Sequence, residues 1–124
     1  MADGKKVLLI EDDAFLSSLM KARLEKEGFG VLQAFDGEEG IEMLKKEKPD
    51  LIILDLIMPR VSGFEMMEHL NINVDFNQIP FIVLSNLAQD SDIQKAKSLG
   101  AKEFYVKIRT SIDDVVAKVK ELLG

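Results

Sequence analysis

Four kinds of side chain in this sequence stand where they could do chemistry together. Glu11 and Asp12 close the apolar run Val7-Leu8-Leu9-Ile10, and Asp55 closes Leu51-Ile52-Ile53-Leu54. Lys107 closes Phe104-Tyr105-Val106, and Ser85 ends the run that begins at Phe81. Short, continuous apolar runs mark the strands of a parallel sheet covered on both faces. In such sheets ligands bind beyond the carboxyl ends of the strands. Carboxylates gathered at that edge repel one another, by roughly 4 kcal/mol for two charges about 4 Å apart at an effective dielectric of 20. Either some of them take up protons or a cation joins them. Hard oxygen ligands without His or Cys favour Mg²⁺, with Mn²⁺ as a substitute. With a cation in place, a phosphoryl group can approach Asp55, and an aspartate can act as nucleophile to form an acyl phosphate. A lysine would neutralise the incoming oxygens, and the hydroxyl of Ser85 would hydrogen-bond one of them.

Elements of a definite kind must hold these groups. Apolar runs near 6–10, 31–35, 51–55, 81–85 and 104–107 alternate with amphipathic stretches. Leu16, Leu19, Met20 and Leu24 form one helical stripe, with Gly28 placed as a C-terminal cap. Asp13 suits the N-cap of that helix better than a ligand role. Asp36-Gly37-Glu38-Glu39 resembles a capping box ahead of Ile41 and Leu44. Phe64, Met67 and Leu70 form a third stripe, and Ile93, Ala96 and Leu99 a fourth, ended by Gly100. Ile112, Val115, Val116, Val119, Leu122 and Leu123 form the fifth, opened by Thr110 or Ser111. Five strands alternating with five helices call for an α/β fold, a parallel sheet between two helix layers joined by right-handed crossovers. The polar stretch Asn71 to Gln78 is the longest expected loop. The methionines at 20, 43, 66 and 67 read as core filler. His69, the single histidine, reads as a surface or boundary residue.

At 124 residues the chain is expected to be one domain, 1–124. It is 47% hydrophobic and 31% charged, ordinary for a globular protein. The absence of cysteine removes any disulfide framework or thiolate metal site, which makes a cytoplasmic location the expectation. No segment reads as a signal peptide or approaches the ~20 apolar residues of a membrane helix, so no membrane partner is expected. A formal charge of -6 provides no basic patch and argues against direct nucleic-acid binding. The sequence ends just after the fifth helix, as a stand-alone regulator or an excised domain would.

The segments VLLIEDD at 7–13, LIILDLIMPRVSG at 51–63, FIVLSN at 81–86 and LGAKEFYVK at 99–107 together carry a resemblance. Over essentially its whole length the chain resembles the receiver domain of bacterial two-component response regulators. The acid pair, the Asp-x-x-Met-Pro loop, the hydroxyl and the lysine are specific as a set. The resemblance implies a flavodoxin-like, doubly wound sheet in the order 2-1-3-4-5. It implies Asp55 as phosphoacceptor, Asp12 as direct metal ligand, Glu11 as the second acid, and the Ile57 backbone carbonyl as a further ligand. It casts Ser85 as the switch hydroxyl, Lys107 as the switch lysine and Phe104 as the switch aromatic. The implied partners are a sensor histidine kinase or histidine phosphotransfer protein, and a downstream protein target or missing output domain. Phosphorylation would then alter the surface of the fourth helix, fifth strand and fifth helix. Such a protein promotes its own phosphorylation and dephosphorylation and is no enzyme on external substrates.

Two positions depart from the family. Ile108 stands where receivers carry proline after a cis bond, and a trans peptide is expected because a cis bond to a non-proline residue costs ~2.5–4 kcal/mol. Asn86 stands where the family has a small residue, so its carboxamide is expected to crowd the phosphoryl pocket or hydrogen-bond to it. Ile57 and Leu87, both apolar, flank the site and are expected to hinder the hydrolytic water. Other functions fit less well. An aspartate-nucleophile phosphatase generally needs an aspartate at position 57, and a flavodoxin-like electron carrier needs a phosphate cradle where Glu11-Asp12-Asp13 would repel phosphate. A degenerate receiver that binds partners without phosphorylation is the remaining alternative.

Overall fold

The computed structural model describes residues 4–87 and 89–124; the first three residues of the expected domain lie outside them. Among the described residues five strands alternate with five α-helices. These are β1 Lys6–Ile10, α1 Ala14–Lys26, β2 Gly30–Ala34, α2 Gly37–Lys46, β3 Leu51–Leu54, α3 Gly63–Ile72, β4 Phe81–Ser85, α4 Asp90–Ser98, β5 Phe104–Val106 and α5 Ile112–Leu123. All strand pairs are parallel and their order is β2-β1-β3-β4-β5, the doubly wound α/β sheet expected.

Alternation along the strands explains the two cores. Leu8 and Ile10 of β1, Ile52 and Leu54 of β3, and Phe81 and Val83 of β4 face one side. There they meet Leu44 of α2, Met66, Met67 and Leu70 of α3, and Ala96 of α4. Val7, Leu9, Leu51, Ile53, Ile82 and Leu84 face the other, against Met20 and Leu24 of α1 and Val115, Val116 and Val119 of α5. Because both faces are covered, the central strands read as unbroken apolar runs. Met20, Met66 and Met67 are fully buried and Met43 packs at the edge of the core, as their reading as filler requires.

The helix ends follow local chemistry. Asp13 caps α1, its carboxylate accepting from the Phe15 and Leu16 amides at 3.0 and 3.2 Å. Gly28 and Gly100 adopt positive φ just beyond α1 and α4. Ser111, rather than Thr110, caps α5 in a capping box with Asp114. At α2, Asp36 accepts from the Glu39 amide, but Glu39 returns its carboxylate to Phe35 N–H instead of to the cap residue. The buried arc of α1 is turned from the expected stripe: Leu19 is 41% exposed, whereas Ser17 is buried and accepts from Gln33. A buried hydroxyl satisfied by a side chain carries no hydropathy signal. The helix α3 also runs further than expected, through Ile72, so the loop to β4 is 73–80. His69 is half-buried there, its ring 6.2 Å from that of Phe76.

The chain packs very tightly where α3 starts against the end of β3. A Cβ on Gly63 would fall 2.4 Å from the Asp55 carbonyl oxygen and 2.6 Å from Leu56 Cα. Only a residue without a side chain allows this approach. Gly63→Ala is therefore expected to destabilise the fold by about 2 kcal/mol, the cost typical of forced overpacking. Gly30→Ala, whose new methyl meets Lys6 at an ordinary 3.5 Å, serves as the control. Urea unfolding midpoints of the two variants check this, and equal midpoints would refute it.

Candidate functional site

Register places the acids. Ile10 of β1 pairs with Leu54 of β3, so the next residues, Glu11 and Asp55, emerge side by side at the carboxyl edge. The ladder continues one step further, with Asp55 N–H donating to Ile10 O at 3.1 Å and Glu11 N–H to Ala34 O at 3.0 Å. The chain winds in opposite directions from β1 to β2 and from β1 to β3, so this is the switch point where doubly wound sheets bind ligands. Ser85 of β4 pairs with Val106 of β5, which puts Lys107 immediately beyond the same edge.

Lys107 bridges the cluster. Its Nζ lies 2.7 Å from Asp55 Oδ2 and 2.8 Å from Glu11 Oε1. From β5 to β3 it must cross two strand spacings, about 10 Å, which the long lysine stem can span. The expected strand stops at Val106, and Lys107 opens a short 3₁₀ turn through Arg109. Thr110 fastens this turn by donating its hydroxyl to Val106 O at 2.8 Å. Asp55 is 5% exposed and Glu11 2%, whereas Asp12 is exposed. Burial pushes the Glu11 carboxyl above the usual carboxylate range, against the hydrogen bonds it accepts from Lys107 and the Asp13 amide. Burial also works against the charge of Lys107, but its hydrogen bonds to Asp55 and Glu11 outweigh that and hold the ammonium above its ordinary range.

The other expected residues fall around this centre. Asp55 Oδ1 accepts from Ile57 N–H at 3.2 Å, and the Ile57 side chain is exposed. Ser85 is fully buried, and its Oγ accepts from Leu87 N–H at 3.2 Å. Phe104 packs on the α2–α3–α4 side, which is also the side of Phe81 and Val83, while Tyr105 packs on the α1–α5 side. Strand alternation therefore sets Ser85 and Phe104 on one face. The described residues contain no cis peptide bond, so the Lys107–Ile108 bond is trans, as expected for a non-proline residue. Asn86 turns its side chain away from the expected role: its Oδ1 accepts from Ile108 N–H at 3.1 Å. A contact missed from sequence is Arg60, at φ 69 in the loop after β3, whose guanidinium lies 3.4 Å from Asp36 and 3.7 Å from Glu38. A lone arginine after Met-Pro gives no hint of a left-handed backbone.

Glu11, Asp12 and Asp55 each offer a carboxylate oxygen, all within 4.8 Å of one another. Three carboxylates against one ammonium leave two negative charges, in a donor set of hard oxygens alone. That set fits Mg²⁺, which takes a few carboxylates and retains waters.

The comparisons agree with this geometry. The family model described as the response regulator receiver domain matches residues 7–120, and the chain belongs to that family. It is 38% identical over 114 residues to the uncharacterized transcriptional regulatory protein YcbL of Bacillus subtilis, covering 91% of this chain and 48% of the relative. It is 34% identical over 118 residues to the DNA-binding dual master transcriptional regulator RpaA of Synechocystis, covering 95% and 48%. The receiver domain of the Francisella response regulator 1452 superposes with a TM-score of 0.88 at 28% identity, covering 97% of each chain. The fold is thus flavodoxin-like, as in receivers. The chain spans about half the length of these two curated relatives. Since one of them is named as DNA-binding, the expectation of no direct nucleic-acid contact finds no support in the relatives; the charge argument behind it concerns these 124 residues alone. No helix among the described residues is long and apolar enough to cross a membrane.

Metal binding should read out as stability. At 100 times its dissociation constant Mg²⁺ is expected to stabilise the wild type by about 2.7 kcal/mol, and Asp12→Asn is expected to lose most of that gain. Urea unfolding in EDTA and in Mg²⁺ measures both, and a wild type indifferent to the metal would rule the site out.

Proposed function

We propose that residues 1–124 form one receiver domain that works as the phosphoacceptor switch of a two-component phosphorelay. The observation that carries this reading is the Lys107 ammonium held on both Asp55 and Glu11, beside a three-carboxylate cluster at the sheet's switch point. Asp55 is the nucleophile. One of its carboxylate oxygens attacks the phosphorus of a phosphohistidine on a sensor kinase or phosphotransfer protein. The P–N bond breaks, the imidazole leaves with the electron pair and takes up a proton, and an acyl phosphate results. Glu11, Asp12, Asp55 and the Ile57 carbonyl would hold Mg²⁺, or Mn²⁺ in its place, which when bound offsets charge on the phosphoryl oxygens. Lys107 contributes a second positive charge at the same oxygens, already aligned and largely removed from water.

Ser85 and Phe104 form the readout. The hydroxyl of Ser85 moves to a phosphoryl oxygen, Phe104 follows on the same face, and the α4–β5–α5 surface changes for a downstream protein target or an attached output domain. The protein modifies only itself, so it is not an enzyme on external substrates, and the cytoplasm is its expected compartment. A degenerate receiver, binding partners without phosphorylation, is the second reading; the full set of acids and Lys107 argues against it, while Ile108 and Asn86 at the site's rim keep it open.

Incubation with acetyl phosphate and Mg²⁺, followed by intact-mass analysis, separates the two. The switch predicts one phosphoryl addition, dependent on metal and absent from Asp55→Asn. No addition, even with a phosphorylated kinase as donor, would leave the degenerate receiver. Polar residues at both 57 and 87 are further expected to shorten the lifetime of the phosphorylated state severalfold, by admitting the hydrolytic water. An unchanged dephosphorylation rate would sink that idea.

A further inference from the structure

The two positions that depart from the family pattern touch each other. Ile108 has a backbone N–H where a proline would have none, and the Asn86 carboxamide oxygen accepts it at 3.1 Å. Proline fixes the chain after the lysine by its ring. Here a hydrogen bond from the neighbouring loop occupies the same place. The neighbours in sequence give the contact its reach. Asn86 follows Ser85 directly, Ile108 follows Lys107 directly, and Ser85 pairs in register with Val106. One side chain therefore ties the end of β4, which bears the hydroxyl, to the turn bearing the ammonium.

We propose that Asn86 is a positioning residue: through Ile108 N–H its carboxamide fixes the Lys107–Arg109 turn, so that Nζ stays on Asp55 and moves only in concert with the Ser85 end of β4. The turn needs such a tie. It has a clamp on its far side, from the Thr110 hydroxyl to Val106 O, but Ile108 is 81% exposed and packs little. The family's pairing of a small residue with proline and this chain's pairing of asparagine with isoleucine are two solutions to one problem. Mixing them, with alanine facing a free N–H, leaves the turn untied. The inference rests on Asp55 being the phosphoacceptor.

A double-mutant cycle tests it, with Asn86→Ala, Ile108→Pro and the pair, phosphorylated by acetyl phosphate in saturating Mg²⁺. Asn86→Ala is expected to slow phosphorylation by about 3- to 10-fold, the range a net hydrogen bond supplies. Its Mg²⁺ affinity, measured by calorimetry, should be unchanged. In the Ile108→Pro background, which has no N–H to lose, the same change should alter the rate less than twofold. Equal effects in the two backgrounds, or a full rate in Asn86→Ala, would overturn the proposal. Amide exchange at Ile108 and the Lys107 side-chain resonance, followed by NMR in Asn86→Ala, keep the test decisive if Ile108→Pro does not fold. Both must change, and an unaltered Lys107 signal refutes the assignment. A wild type that accepts no phosphoryl group would instead count against the phosphoacceptor reading, while these two signals still decide whether Asn86 orients the turn.

Discussion

The sheet's carboxyl edge concentrates more negative charge than it can neutralise from within, and much of the architecture answers that imbalance. Glu11 and Asp55 cannot move apart, because the β1–β3 register fixes their backbones in adjacent strands. Their near-complete burial removes the water that would otherwise screen them. A single ammonium satisfies both, and it arrives from two strands away on a side chain long enough to make the crossing. Removing one partner from a buried pair is far more costly than the pair is worth, since a desolvated charge remains behind. Replacing the lysine would therefore cost stability on structural grounds alone. With Asp12 counted as well, two units of negative charge remain unmet, in a donor set of hard oxygens that fits a divalent cation.

Scaffold and site share one geometric device. Parallel strands expose all their carboxyl ends on one edge, so residues distant in sequence converge without long excursions of the chain. The close approach of Gly63 to the Asp55 carbonyl shows how little slack is present where α3 meets β3. The loop between them carries a second constraint in Arg60. An arginine in the left-handed region is held at a cost in backbone energy, and here its guanidinium is drawn to the N-terminal acids of α2. Both constraints bear on the short segment that leads away from Asp55.

Most of the fold was legible because its determinants are local and repetitive. Unbroken apolar runs announced the central strands, and periodic stripes with Asp13, Ser111 and the glycines announced the helices. The convergence of Glu11, Asp12, Asp55, Ser85 and Lys107 was legible for a related reason: each ends or follows an apolar run, and parallel strands bring those ends to one edge. The parts that escaped are those whose cause is tertiary. Ser17 is buried against Gln33, a pairing no hydropathy pattern records. Glu39 bonds one residue earlier than its spacing suggests. Asn86 and Ile108 each stood out as departures, yet 22 positions separate them, and only the β4–β5 pairing reveals that they meet.

The hydrogen bond from Leu87 N–H to Ser85 Oγ has a consequence for polarity. A hydroxyl can accept and donate at once, and in a fully buried one both capacities matter. Here the backbone occupies one lone pair, and the proton remains free to turn toward the sheet edge. An oxygen anion at that edge can accept from the hydroxyl while Leu87 N–H holds the oxygen in place. The end of β4 thus offers an anion a donor without committing a formal charge.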